Sequence, residues 1–328
     1  MLDTAAKLSA RVFADDIDQA PTRDGFGKGV TEAGKTDPRI VVLCADLSES
    51  TRAEWFEKEF PDRFIEAGIA EQSMAAIASG MTAAGKIPFI ASYAAFNPGR
   101  NYEQIRTTIV LNQSPVKVCG MHAGVSVGPD GATHQMLEDI GLMRVLPGMT
   151  VIAPGDAEEA RKAVIAAAAT DGPVYLRFGR SATPVFTTND TPFQIGKALT
   201  LWEGDSPEVA LLSTGALSYA ALAAAHTLAD EGISSVVLHV PTIKPLDEEA
   251  VLDAARKVGL VVTVEEHQAA TGFGNAVAAL LAEKHPVKMK ILGIDDRFGQ
   301  SGTPEELLAY YGLDATGIAE AVRKSAVS

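Results

Sequence analysis

The chain has 328 residues, 47% hydrophobic and 21% charged, and a formal net charge of -14 with acids spread along its length. That length suits two hydrophobic cores rather than one, and the composition is that of a folded globular protein rather than a disordered one. The balance argues against sequence-independent nucleic-acid binding, which needs Lys/Arg clusters to replace counterions. No apolar run reaches the roughly 20 residues that span a bilayer.

The opening stretch MLDTAAKLSARVFADDIDQA lacks the basic-then-apolar order of a signal peptide. The two cysteines, Cys44 and Cys119, fall in separate strand candidates with no metal-ligand company. They read as small core residues, and the cytoplasm is the expected compartment.

In chain order, Arg23 in APTRDGFG opens the first helix. RIVVLCA (39–45) and RFIEA (63–67) read as strands, followed by a helix over 71–84 expected to be buried on most sides. IPFIAS (87–92) is a strand, with a helix starting near Pro98 and covering 100–111. VKVCGM (116–121), MTVIAP (149–154), a helix at 157–169 and PVYLRF (173–178) complete a first series. The Thr/Pro/Asn-rich segment 181–198 reads as a linker. A second series follows: strands at 208–214, 234–240, 259–266 and 287–294, with helices at 216–231, 247–257 and 274–284 and a helical tail. Short apolar strands alternating with helices indicate parallel sheets covered on both faces. The fold class is therefore α/β, with two doubly wound domains, 1–188 and 189–328.

Four motifs carry chemistry. Glu71, in RFIEAGIAEQSM, sits at the mouth of an Ala/Met-rich helix, where an unpartnered buried acid is costly. It is either a glutamate favoured by the helix dipole or a functional acid. The turn at Gly68 and the small neighbours would let a flat ring approach. The loop GVSVGPDGATHQ (124–135) reads as long and exposed, carrying Asp130 and His134, with His122 just before it; such strand-end loops hold functional groups. Zinc is a weak reading there, because the spacing fits no common ligand pattern. Tyr93 and Phe96, in SYAAFNPGRNYEQIR, are either core aromatics or a shelf for a heterocycle. Arg177 and Arg180, in LRFGRSATP, and Arg23 are either surface ion-pair partners or a bidentate grip on phosphate.

Taken in order, ADLSES, RFIEAGIAEQSM, SYAAFNPGR, GPDGATHQ and DGPVYLRFGR resemble the second half of a transketolase, above all the small subunit of split transketolases. The resemblance implies a pyrimidine-binding domain followed by a transketolase C-terminal domain, and thiamine diphosphate as cofactor. It gives Glu71 a hydrogen bond to N1′ of the cofactor's aminopyrimidine, so that the acid pairs with the cofactor and not with the protein. A buried carboxyl suits such proton sharing. Phe96 and Tyr93 then flank the pyrimidine, and Asp46 matches an acidic position near the subunit interface. His122, Asp130 and His134 match positions touching the hydroxyls and carbonyl of the donor sugar, the two histidines as proton carriers. Arg23, Ser50 and Arg180 match positions holding the substrate phosphate.

The family binds the diphosphate and its Mg²⁺ through a GDG motif, which occurs nowhere in this chain. Mg²⁺ shares an oxygen shell between protein and diphosphate. A larger subunit carrying that motif is therefore expected, with two copies of each chain, and this chain is expected to be inactive alone and to provide no metal ligands. The implied reaction moves a two-carbon ketol unit from a ketose phosphate to an aldose acceptor. Alternatives are the β subunit of a 2-oxo acid dehydrogenase, a split transketolase for a branched or sulfonated sugar, or a regulatory subunit whose partner does the chemistry. A deoxyxylulose phosphate synthase would carry both halves on one chain. The pair His267-Gln268, in VEEHQAATGFG, is expected at dimer contacts.

Overall fold

The computed structural model describes residues 1–326. After strand β1 (Gln19–Ala20) and helix α1 (Thr22–Thr36) comes β2 (Ile40–Cys44), then the short helices α2 (Ser48–Thr51) and α3 (Ala53–Glu59). Next are β3 (Phe64–Glu66), α4 (Glu71–Ala83), β4 (Ile87–Tyr93) and α5 (Tyr102–Gln104), which runs into a π-helix (Ile105–Val110). β5 (Lys117–Met121), α6 (Asp139–Arg144), β6 (Thr150–Ile152), α7 (Ala157–Ala168), β7 (Val174–Arg177) and β8 (Thr183–Pro184) follow.

The second series is β9 (Leu199–Glu203), β10 (Val209–Ser213), α8 (Leu217–Asp230), β11 (Ser235–His239), β12 (Thr242–Lys244), α9 (Glu248–Arg256) and β13 (Leu260–Gln268). It closes with α10 (Phe273–Lys284), β14 (Lys288–Ile294), α11 (Pro304–Tyr310) and α12 (Ala315–Ala326).

The first sheet has the order β12-β6-β7-β5-β4-β2-β3, parallel except at β12. The second has the order β14-β13-β10-β11-β9, parallel except at β9. Strand pleating explains why such runs read as continuously apolar. On β2, Ile40, Val42 and Cys44 enter one core while Val41 and Leu43 enter another on the opposite face. Both cysteines are buried and free.

The structure departs from the sequence reading in several places. The segment 181–198 is no free linker. β8 pairs antiparallel with β1, Phe186 is fully buried, and the Thr187 amide and hydroxyl both donate to the N-cap acid Asp156 of α7. β12, α2, α3 and α6 are unanticipated because they are too short for a period to emerge; the five-residue β9 is also unanticipated. β12, from the second series, supplies the edge of the first sheet. Helix α4 is buried on one face only, through Glu71, Met74, Ala75 and Ala78, leaving Ile77 exposed. After β4 the chain turns through 94–101 before becoming helical at Tyr102. His267 makes no dimer surface, being fully buried with Nε2 accepting from the Gly141 amide. No helix among the described residues is long and apolar enough to cross a membrane.

Candidate functional site

In a parallel sheet the C-terminal strand tips share one edge, and loops leaving that edge converge. Here the tips of β2, β3, β4, β5 and β7, with the start of α1, bring Asp46, Ser50, Glu71, Tyr93, Phe96, His122, Arg180 and Arg23 together. Two tip residues, Asp46 (φ 58) and His122 (φ 54), hold left-handed backbone conformations unusual for side-chain-bearing residues, a strain that tends to gather at functional sites.

His122 lies at the centre. Arg23 Nη1 donates to its Nε2 at 2.9 Å and to the Ser50 carbonyl at 2.7 Å. The imidazole stacks on Tyr93, with ring centroids 4.1 Å apart, and the Tyr93 hydroxyl meets Ser50 Oγ at 2.7 Å. Because Nε2 accepts from Arg23, the proton is assigned to Nδ1, which is buried without a partner among the described residues. Burial, and then the charges of Arg23 and Arg180, push the His122 pKa down to about 3. The ring is therefore neutral near pH 7. Between about pH 3 and the ordinary histidine value near 6.5, the unfolded chain binds more protons at this position than the folded one. His122 thus makes stability rise with pH across that window. Two-dimensional NMR of the ring is expected to show no titration from pH 5 to 8; a midpoint near 6.5 would contradict the assignment.

A line of contacts runs from Tyr93 to the acid. Phe96 stacks near Tyr93 at 6.0 Å, and His134 meets both rings edge-on, at 6.1 and 5.6 Å. The Arg100 guanidinium lies 4.7 Å above Phe96, and its Nη1 donates to Glu71 Oε2 at 2.8 Å. Glu71 is 2% exposed and Arg100 47%. In the chain by itself the acid is therefore partnered by Arg100. A buried carboxylate needs a counter-charge, and Arg100 in the next loop supplies it. Asn101 Nδ2 also caps the Glu71 carbonyl at 3.1 Å.

On the other side, Arg23, Ser50, Asp46, Arg52, Glu66 and Arg180 line an open cavity of about 510 Å³. Arg180 pairs with Asp130 at 3.1 Å and donates to the Val127 carbonyl at 3.1 Å. Arg52 is held by Asp24 at 2.7 Å. Glu66 Oε1 accepts from the amides of Asp46 and Gly68, both at 2.8 Å, which satisfies its charge locally. Arg23 forms no ion pair with a described residue, and burial, then the nearby Arg52, lowers its pKa. Three guanidinium groups around one cavity suit a multiply charged oxyanion.

The loop 124–135 is less exposed than its glycines suggest, for Val125, Val127, Gly131 and Gln135 are buried and only its tip is wet. His134 Nδ1 meets Thr133 Oγ1 at 2.8 Å, and Nε2 makes no hydrogen bond to a described residue. Arg177 is no surface residue; its Nε donates to Asp139 in the core at 2.8 Å. Arg100, Arg52 and Glu66 were missed. Arg100 lay within a motif already singled out and shares a turn with Phe96, whereas nothing local marked Arg52.

Groups in this cluster fit one half of a thiamine diphosphate site. A buried acid at a helix mouth is linked to Phe96 through Arg100, which is half exposed. His122 covers one face of Tyr93 and Arg100 one face of Phe96, so displacement of Arg100 would open that face of Phe96 to a flat ring. Among the described residues no group of three His, Cys, Asp or Glu side chains is placed to hold a metal.

The family model described as "Transketolase, pyrimidine binding domain" matches residues 18–185, and "Transketolase, C-terminal domain" matches 196–318. The chain is 42% identical, over 92% of its length and 94% of the relative, to a "Putative transketolase C-terminal section" from Methanocaldococcus jannaschii. It is 39% identical, over 95% and 96%, to a 6-deoxy-6-sulfo-D-fructose transketolase subunit from Clostridium sp.. A solved structure titled "Split gene transketolase, inactive beta4 tetramer" superposes with TM-score 0.86 at 43% identity, covering 93% of this chain and 98% of that one.

Proposed function

The chain belongs to the transketolase family, whose members are transferases that use thiamine diphosphate and a divalent metal, and from that premise we propose that it forms one half of a two-chain transketolase. The reaction is transfer of a two-carbon ketol unit from a ketose phosphate to an aldose acceptor. The observation that carries this reading is Glu71, buried at the mouth of α4 and joined through Arg100, Phe96, Tyr93 and His122 to an arginine-lined cavity.

Thiamine diphosphate, when bound, supplies the nucleophilic carbon that cleaves the bond beside the ketose carbonyl. Glu71 would hold the proton shared with the cofactor's pyrimidine and Phe96 would lie against that ring, while Tyr93 keeps Phe96 and His122 in place. Asp46 lies at the cavity rim. Arg23, Ser50 and Arg180 grip the substrate's terminal anion. Asp130, anchored by Arg180, orients donor hydroxyls, and neutral His122 donates from Nδ1. His134, with Nε2 unengaged, is the group left to move a proton. Residues 1–188 form the pyrimidine-binding domain and 189–328 the C-terminal domain.

A larger N-terminal subunit carrying GDG supplies the diphosphate and Mg²⁺ half in a two-plus-two assembly. The names of the relatives, a C-terminal section, a subunit and a split-gene product, support a divided enzyme. Two free buried cysteines suit a reducing cytoplasm. A sulfonated sugar is a second reading for the substrate, supported by the Clostridium relative and by guanidinium groups that accept either tetrahedral anion.

The test mixes this chain with its N-terminal counterpart, thiamine diphosphate, Mg²⁺ and a panel of ketose phosphates and sulfonates, and measures aldose release. Activity is expected only from the mixture. Full turnover by this chain alone would overturn the divided site.

A further inference from the structure

None of the residues assigned to the reaction comes from the second sheet, yet one side chain of that sheet reaches the functional loop. Glu266, on β13, accepts two hydrogen bonds from Ser126, one from its amide and one from its hydroxyl, the latter at 3.1 Å. Ser126 lies between His122 and Asp130. The loop is shaped to receive this carboxylate. At Gly124 (φ 90) a Cβ would lie 2.3 Å from Glu266 Cδ, so that position needs glycine both for its backbone angle and for space.

A second bond of the same kind ties Gln135 Nε2 to the Gln300 carbonyl at 2.9 Å, while that nitrogen also donates to the carbonyls of Val125 and Gly128. Arg180 and Ser181 hold the loop from the first sheet, through the carbonyls of Val127 and Ser126. The loop is thus pinned underneath by the C-terminal half while its tip presents Asp130 and His134. Glu266 is 7% exposed; burial raises its pKa, partly offset by the charge of Arg177 and the Ser126 hydrogen bonds, and Arg177 Nη2 also donates to the Glu266 backbone carbonyl at 2.8 Å.

We infer that Glu266 is a positioning residue for ketol transfer, setting the loop that carries Asp130 and His134; the inference rests on the proposed transketolase reading. Small displacements of groups that orient a substrate lower rates steeply.

The assay uses the two-chain enzyme with Glu266→Ala, Glu266→Gln and Ser126→Ala. Alanine at 266 is expected to lower kcat/KM for the ketose phosphate by about 10- to 100-fold while leaving thiamine diphosphate affinity, read by near-ultraviolet circular dichroism, unchanged. Glutamine retains an oxygen for the Ser126 amide and is expected to recover most of that loss. Hydrogen exchange of segment 124–135 in the chain alone should quicken by about 10-fold or more in the alanine variant, without a matching change in α10.

If Glu266→Ala does not fold, Ser126→Ala, which removes only the hydroxyl bond, carries the test, with a smaller loss and faster loop exchange expected. Unchanged kcat/KM and unchanged loop exchange in a folded variant overturn the inference. A wild-type mixture with no ketol transfer sinks the transketolase reading instead, while the exchange data still report on the clamp.

Discussion

Glu71→Gln is expected to reduce ketol transfer by the assembled enzyme about 10²- to 10⁴-fold, the range for losing a positioned acid–base group. The substitution keeps the shape of the side chain and removes its ability to hold a proton for the cofactor. It also leaves Arg100 without its carboxylate. That guanidinium is 47% exposed, so water takes over its solvation and the fold survives. Stability and activity therefore separate: the unfolding midpoint stays close to wild type while turnover collapses. Steady-state rates with saturating thiamine diphosphate, beside a thermal melt of the same preparation, make the check. A glutamine variant within about threefold of wild type would remove Glu71 from the chemistry and leave the regulatory-subunit alternative standing.

Arg177→Met is expected to destabilise the chain by about 3–5 kcal/mol, the cost of leaving a buried acid unpaired. Arg177 is 9% exposed, and its Nε meets Asp139 Oδ2 at 2.8 Å while Asp139 is fully buried. Burial opposes the charge of Arg177, but Asp139 and Glu266 outweigh it and raise its pKa. Removal of the guanidinium leaves Asp139, among the described residues, with the Tyr175 hydroxyl at 2.6 Å and the buried His267 imidazole 4.0 Å away, and removes the Arg177 donor from the Glu266 carbonyl. Burial also pushes the neighbouring Glu265 up to about 7, against the amides of Phe273 and Gly274 that favour its ionised form. These acids share one buried cation, so its loss is felt by both halves of the chain. Urea titration followed by circular dichroism measures the effect; a change below about 1 kcal/mol would show that water or a rearranged partner replaces Arg177.

Much of the architecture is local and was therefore readable. The run IVVLC is apolar at every position because β2 is covered on both faces, and the same holds for VALL in β10. Glu71 drew notice because an acid opened an apolar helix, and the glycines of 124–135 marked a loop at a strand end. Those glycines could not report what packs beneath them, so a loop read as exposed is buried for much of its length. Helix α4 read as buried on most sides because its residues are small, although only one face meets the core. For His267 the identity of the residue carried no hint of the buried acids around it.

Hydrophobic spacing and turn residues, set by the geometry of a few neighbouring positions, by themselves determined the α/β class, most strands and the place of the loops. The pairing of charges was decided only by the folded chain. Glu71 meets Arg100 across 29 positions, His122 meets Arg23 across 99, and Ser126 meets Glu266 across 140. A buried charge must find a counter-charge or donor wherever the topology delivers one, and that delivery depends on strand order rather than on any local period.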